Sequence, residues 1–374
     1  MAQMTKSKPV LVNKKPTVSR EQNEDRSIKA LLIATPVVAM IVLFLNQIFN
    51  AGRALSILGR PSFAVYITPM AMLVVLAVFM WRYLSEFYPR GNQADIYKRR
   101  WAVVADGISL GLVYMIVAGA ITIWLERIFN SSFVGLKLDQ YTASVLIGLA
   151  IGIVAYSIIR LTRNISSKQT INVLALFLVG GVIVSMLTTK EPSWWEANFS
   201  TLGQATQRFT ASYYVFNLTL ILSGFALVVL ARQVIADAKD VFRDSKAGSK
   251  HKLRTIYAFM VVASLGLAGV GLFPYTPGSY KAFMHVLSAG LVAISFGILI
   301  GLLRWLLPSA SKSFLSISYI ILASLVGSYI LFARIGYLSL TAFELGCFAI
   351  CFSWLYLFTQ QVVNSKEYNR DERG

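Results

Sequence analysis

The sequence predicts an all-α, polytopic integral membrane protein, a bundle of about ten transmembrane helices, and three observations carry that reading. Of the 374 residues, 56% are hydrophobic and only 14% charged, with a mean hydropathy of +0.63. A soluble domain carries ~25% charged residues, and a water-facing surface must be covered with polar groups. Apolar runs of about 20 residues recur along the chain, each long enough to cross ~30 Å of hydrocarbon at 1.5 Å per residue. Finally, the basic residues segregate to alternate loops, as cytoplasmic loops of membrane proteins do.

In chain order, residues 1–27 are polar and basic without periodicity and predict a disordered cytoplasmic tail with no cleavable leader. Four apolar runs follow within residues 28–163, at 28–49, 63–84, 101–128 and 141–161. Six more fill residues 171–363, at 171–189, 212–235, 255–273, 282–307, 315–333 and 338–363. Residues 364–374 read as a second cytoplasmic tail. Pro36 and Pro69 lie inside spans, where neighbouring helices can satisfy a freed carbonyl.

With the N-terminus inside, only Arg53, Arg60, Arg127, Lys137, Lys190, Arg208, Lys281 and Arg334 of the 35 Lys and Arg fall on the outer face. Inverting the chain or dropping one span destroys that asymmetry, so both termini are expected in the cytoplasm of a plasma-membrane protein. The net charge of +18 is then explained by anionic inner-leaflet lipid, and membrane lipids rather than nucleic acid are the expected partners.

A parallel four-plus-four helix repeat with two extra helices is also expected. Ser56-Ile57-Leu58-Gly59 and Ser200-Thr201-Leu202-Gly203 occupy matching places, as do Ser109-Leu110-Gly111 and Ser264-Leu265-Gly266. Gly148/Gly152 and Gly297/Gly301 form a further pair of small-residue motifs, read as close packing inside the monomer.

Residues Ser200-Thr201-Leu202-Gly203, Phe216-Asn217, Gly224, Gly271-Leu272-Phe273-Pro274 and His285 resemble a family of bacterial membrane proteins, domain of unknown function 998. That family is distantly similar to GPI-lipid-remodelling and autophagy-modulator membrane proteins. The resemblance covers residues 171–363 and implies a six-helix module with lipid-related biology. An aspartate usual between the serine and the leucine is Thr201 here, so no acidic site residue carries over to that position.

The candidate site centres on the loop Trp194–Gly203, the only inter-helix segment combining two tryptophans, an acid, an amide and a hydroxyl. Glu196, Asn198 and Ser200 would supply polar contacts, with Trp194 and Trp195 as the apolar wall. Interfacial anchoring explains the tryptophans equally well. His285, Arg334 and Glu344 belong to the same outer end. A carboxylate inside a span is costly and is rarely left facing lipid, so Glu344 is the most informative of them. A salt bridge to Arg334 or His285 is the competing structural reading. Asp106 is expected to pair with the nearby Lys98-Arg99-Arg100, and Asn46, Gln47, Asn50 and Asn217 to hydrogen-bond between helices.

His251 and His285 are the only histidines, so a His-rich zinc site is excluded. No phosphate-binding glycine loop appears, and Cys347 and Cys351 read as small apolar residues of one helix; no cofactor or metal is expected. Three functions remain open: a non-enzymatic protein binding a lipid or amphiphile at an outer-leaflet pocket, a small-solute or proton-coupled transporter using Glu344, and an intramembrane acyl transferase or hydrolase. The last requires His285 close to Ser200.

Overall fold

Apolar length dictates the architecture: among the described residues, ten helices are long and apolar enough to cross a membrane. The computed structural model describes residues 20–59, 61–87, 100–162, 165–204, 210–241 and 249–371. The spanning helices are α1 (Arg20–Asn50), α2 (Ala64–Phe87), α3 (Arg100–Ser132), α4 (Gln140–Leu161) and α5 (Ser167–Thr188), then α7 (Ala211–Val241), α8 (Ser249–Leu272), α9 (Tyr280–Gly301), α11 (Lys312–Ala333) and α12 (Leu340–Asp371). Short helices α6 (Trp194–Ala197) and α10 (Leu303–Leu306) and a 3-10 turn, Phe199–Gly203, complete the set. The protein is a multi-pass, all-α membrane bundle.

Two compact units share the chain, one from Met1–Val78 and Ile121–Arg163, the other from Phe79–Ala120 and Asn164–Gly374. In the first, α1 lies along α4. Glycine makes that possible. A Cβ on Gly148 would run into the Thr35 carbonyl and Ala39, and one on Gly152 into the Thr35 hydroxyl. Val38, Val42, Tyr66, Ile67, Ala71, Ala143, Ile147 and Ile151 fill the core between α1, α2 and α4. Of the expected interhelical ties, Asn50 donates to the Tyr66 hydroxyl of α2 at 2.6 Å, whereas Asn46 donates to the Arg53 carbonyl of the loop that follows α1 at 3.1 Å. β1 (Leu55–Ser56) pairs antiparallel with β2 (Lys137–Leu138). Asp139 caps α4; the Thr142 hydroxyl and the Thr142 and Tyr141 N–H groups hold its carboxyl below the ordinary range.

In the second unit α7 is central, with α5, α8 and α12 packed around it and α9 on α8. Leu230, Ala231, Val234 and Ala238 are fully buried along it. Gly181 accommodates Thr219, Gly224 accommodates Ser264 and Ala268, and Gly271 lies against the Asn217 carbonyl. Asp106 pairs with Arg232 of α7; of the basic cluster expected to pair with it, Lys98 and Arg99 lie outside the described residues. Asp237 takes both Ser167 and Lys366, joining the ends of α5, α7 and α12.

Three sequence expectations are corrected. The chain is already helical from Arg20, seven residues before the expected end of the tail at Ser27, and residues 1–19 lie outside the described residues. Glu, Gln, Lys and Arg are good helix formers, an Asp25–Lys29 pair at 2.6 Å supports the first turns, and a helix need not stop at the hydrocarbon edge. For the same reason α12 continues through the expected C-terminal tail to Asp371. The helix pairings do not repeat: α1 lies on α4, whereas α5 lies on α7 and α9 on α8. Similar apolar patterning selects the faces that meet lipid or core without selecting a neighbour. Accordingly Gly148/Gly152 is tightly packed, while a Cβ on Gly297 or Gly301 would meet no other element within 4 Å among the described residues. Gly148→Val is expected to cost about 1–3 kcal/mol by overpacking. Gly297→Val should stay within the ~0.5 kcal/mol of a surface change, both read from unfolding in mixed detergent micelles.

Candidate functional site

The loop between α5 and α7 must turn the chain back without leaving backbone groups orphaned. It does so by docking its 3-10 turn into side chains from several helices. Phe199, Ser200, Thr201, Leu202 and Gly203 are all buried. Phe199 and Leu202 enter an apolar cluster with Leu178, Val182, Phe216 and Leu220, against which Trp194, Leu345 and Phe348 also pack. The polar half of the turn is then satisfied atom by atom.

Glu344, one turn into α12, accepts the Phe199 N–H at 2.7 Å, and the Ser200 N–H also turns to it. On the far side, the Ser212 hydroxyl donates to the Leu202 carbonyl at 2.9 Å, and Asn217 Nδ2 to the Gly203 carbonyl at 3.0 Å. Gly203 is required here, because a Cβ would meet the Asn217 side-chain oxygen and the Phe216 ring. Asn198 accepts from the Thr201 hydroxyl at 3.2 Å. The carboxylate therefore works as an acceptor for a turn's N–H groups, much as a capping acid does at a helix start. It is not the salt bridge to Arg334 or His285 that the sequence left open.

Ser200 Oγ lies 2.8 Å from His285 Nε2. The other ring nitrogen, Nδ1, faces two carbonyl oxygens, Phe273 at 2.8 Å and Val270 at 3.1 Å. Carbonyls only accept, so Nδ1 carries the proton of the neutral ring, and Nε2 accepts from the serine hydroxyl. His285 is 5% exposed and packs edge-on against Tyr275. The Gly271-Leu272-Phe273-Pro274 segment thus supplies one of the two carbonyls that fix the ring, and Val270, just before it, supplies the other.

Of the eight sequence candidates, Ser200, His285 and Glu344 meet at this turn, with Trp194 packed behind it and Asn198 inside it. Trp195 and Glu196 point outward and are exposed, and so is Arg334 at the end of α11. Among the described residues, none of those three forms a hydrogen bond, ion pair or ring contact with the turn. Two polar residues were missed. Thr341 is 4% exposed, and its hydroxyl has no partner among the described residues; it sits one turn before Glu344 on α12. Glu126, 7% exposed, accepts from the Thr68 hydroxyl at 2.6 Å in the first unit. A carboxylate inside an apolar run is the signal that should have singled it out, as it did Glu344.

The family model described as "Protein of unknown function (DUF998)" matches residues 171–361, just over half of the chain. The chain belongs to the DUF998 family. No curated protein and no solved structure matches it. The DUF998 match contains the whole 3-10 turn together with His285, Thr341 and Glu344, whereas Glu126 and Thr68 lie before it.

Proposed function

We propose that this DUF998 protein resides in the plasma membrane with both termini in the cytoplasm and holds a lipid or other amphiphile at the outer-leaflet end of the DUF998 module, without acting on it chemically. The observation that carries this reading is the Thr341 hydroxyl, buried without a partner among the described residues one turn from the Glu344 carboxylate. An orphaned buried hydroxyl costs about 1–3 kcal/mol, so native structures rarely keep one that nothing answers. Its helix packs on α6 and the 3-10 turn there. Trp195 in α6, Tyr280 at the start of α9 and Tyr337 between α11 and α12 are exposed and suit the headgroup layer. The distant likeness of the family to GPI-lipid-remodelling proteins points the same way.

Native mass spectrometry of the purified protein tests the proposal. Thr341→Val is expected to lower retained amphiphile several-fold. If the variant keeps the same lipid content and is merely more stable, as happens when an unanswered hydroxyl is removed, the reading is wrong.

A second reading, acyl transfer, is favoured by the Ser200–His285 bond. In it Ser200 Oγ would attack an acyl carbonyl, its proton would pass to Nε2, and the leaving group would take that proton as the acyl-enzyme forms. Two features weigh against it. Backbone carbonyls hold Nδ1 where a triad has an acid, and Glu344 occupies the Phe199 N–H that would otherwise be free to face an oxyanion. Covalent labelling by a fluorophosphonate that disappears in Ser200→Ala and in His285→Gln would establish the enzyme; no labelling is the expected result.

A further inference from the structure

We propose that a groove between α1 and α4, outside the DUF998 match, is a separate lipid site that takes a phospholipid with a primary ammonium headgroup. The groove has a volume of about 290 Å³ and is lined by Met40, Leu43, Phe44, Gln47, Gln140 and Tyr141. Its lining is ordered along the membrane normal. Gln47 lies within the last turn of α1 and Gln140 begins α4, so both amides stand at the helix ends, where headgroups lie. Met40, Leu43 and Phe44 continue from there into the span, and Met40 and Phe44 are exposed to the surrounding hydrocarbon. A polar mouth above an apolar channel matches an amphiphile entering chain first.

The chemistry of the mouth selects the headgroup. Gln140 Oε1 is buried and has no partner among the described residues. A methyl group built on Gly52 would lie 2.6 Å from both the Gln47 and the Gln140 side-chain oxygens, so these two oxygens are within twice that distance of each other. Two acceptors this close to each other, one of them unanswered, ask for a donor that reaches both. A single ammonium, with three N–H groups each reaching about 2.9 Å, serves both. A quaternary ammonium has no N–H to give. A free phosphate would place its acceptor oxygens against acceptors, and a glycerol headgroup offers only neutral hydroxyls, without the charge assistance of an ammonium. The flanking charges agree: Asp139 precedes Gln140 and Arg53 follows Gly52, both exposed. A carboxylate near the ammonium and a guanidinium near the phosphate complement a zwitterion.

The site stands or falls independently of the Thr341–Glu344 cluster, because no residue is shared. The test uses the full chain in nanodiscs, with competition between phosphatidylethanolamine, phosphatidylcholine and phosphatidylglycerol read by native mass spectrometry. A photoreactive phosphatidylethanolamine maps the contact. The ethanolamine lipid is expected to be preferred about tenfold over the choline lipid, the ratio that one charge-assisted hydrogen bond supplies. Its crosslinks should fall on Met40 to Phe44 or Tyr141. Gln47→Leu with Gln140→Leu should bring the ratio to one, while Gln47→Glu, which keeps the acceptor and adds charge, should hold or raise it. Equal retention of the two lipids by the native protein would overturn the proposal, and so would a preference that the double leucine variant leaves in place. Preference for the glycerol lipid would do the same.

Discussion

Glu344→Leu is expected to destabilise the protein by about 3 kcal/mol, and Glu344→Gln by about 1 kcal/mol. The difference comes from what each side chain leaves behind. Glu344 answers the Phe199 N–H, and the Ser200 N–H turns to the same carboxylate, inside a turn where both residues are 6% exposed. Leucine removes the acceptor and strands N–H groups away from water, at about 1–3 kcal/mol each before relaxation. Glutamine retains one carbonyl oxygen and loses only the charge-assisted part of the bond. Unfolding in mixed detergent micelles should rank native, Gln and Leu in that order. Equal losses for Gln and Leu would show that the charge itself, and not the accepting oxygen, holds the turn. Because Ser200 carries the bond to His285, the Leu variant should also release the imidazole, visible as an exchange-broadened ring signal in labelled protein.

The fold was legible because hydrophobic length is a local property. Each spanning helix can be found from its own residues, with no knowledge of its neighbours. Identity of neighbours is not local, and there the sequence misled. Gly148/Gly152 and Gly297/Gly301 are the same motif, yet only the first meets another backbone closely. Asp106 stands close to a basic cluster in sequence, but a helix directs its side chains by rotation as well as by distance, and its partner is Arg232 on another element. The polar cluster was legible in part for a related reason. Ser200, His285 and Glu344 are each unusual in an apolar context, and so attract notice singly. Their junction depends on the backbone of the 3-10 turn and on the Phe273 and Val270 carbonyls, groups that every sequence carries and none advertises. Thr341 was invisible for the opposite reason, since a threonine near a helix start is ordinarily a solvated or capping residue, and only its burial makes it informative.

Asp106→Leu is expected to cost about 2 kcal/mol, and the double variant Asp106→Leu with Arg232→Met to recover most of that loss. The carboxylate and the guanidinium belong to α3 and α7, with side chains 14% and 30% exposed respectively. Removing one partner leaves the other charge in a half-buried setting with its Coulombic compensation gone, which costs about 3–5 kcal/mol for a fully buried pair and less with this much exposure. Removing both replaces two desolvated charges by apolar groups of similar reach, and such exchanges are often neutral or stabilising. The recovery is therefore the informative measurement. A double variant as unstable as the single one would mean that Arg232 serves another group more than Asp106, and Tyr257, which also bonds the guanidinium, is the first to examine. Arg232→Met alone should fall between the two, because the carboxylate it strands can neutralise itself by taking a proton, whereas an arginine cannot shed one.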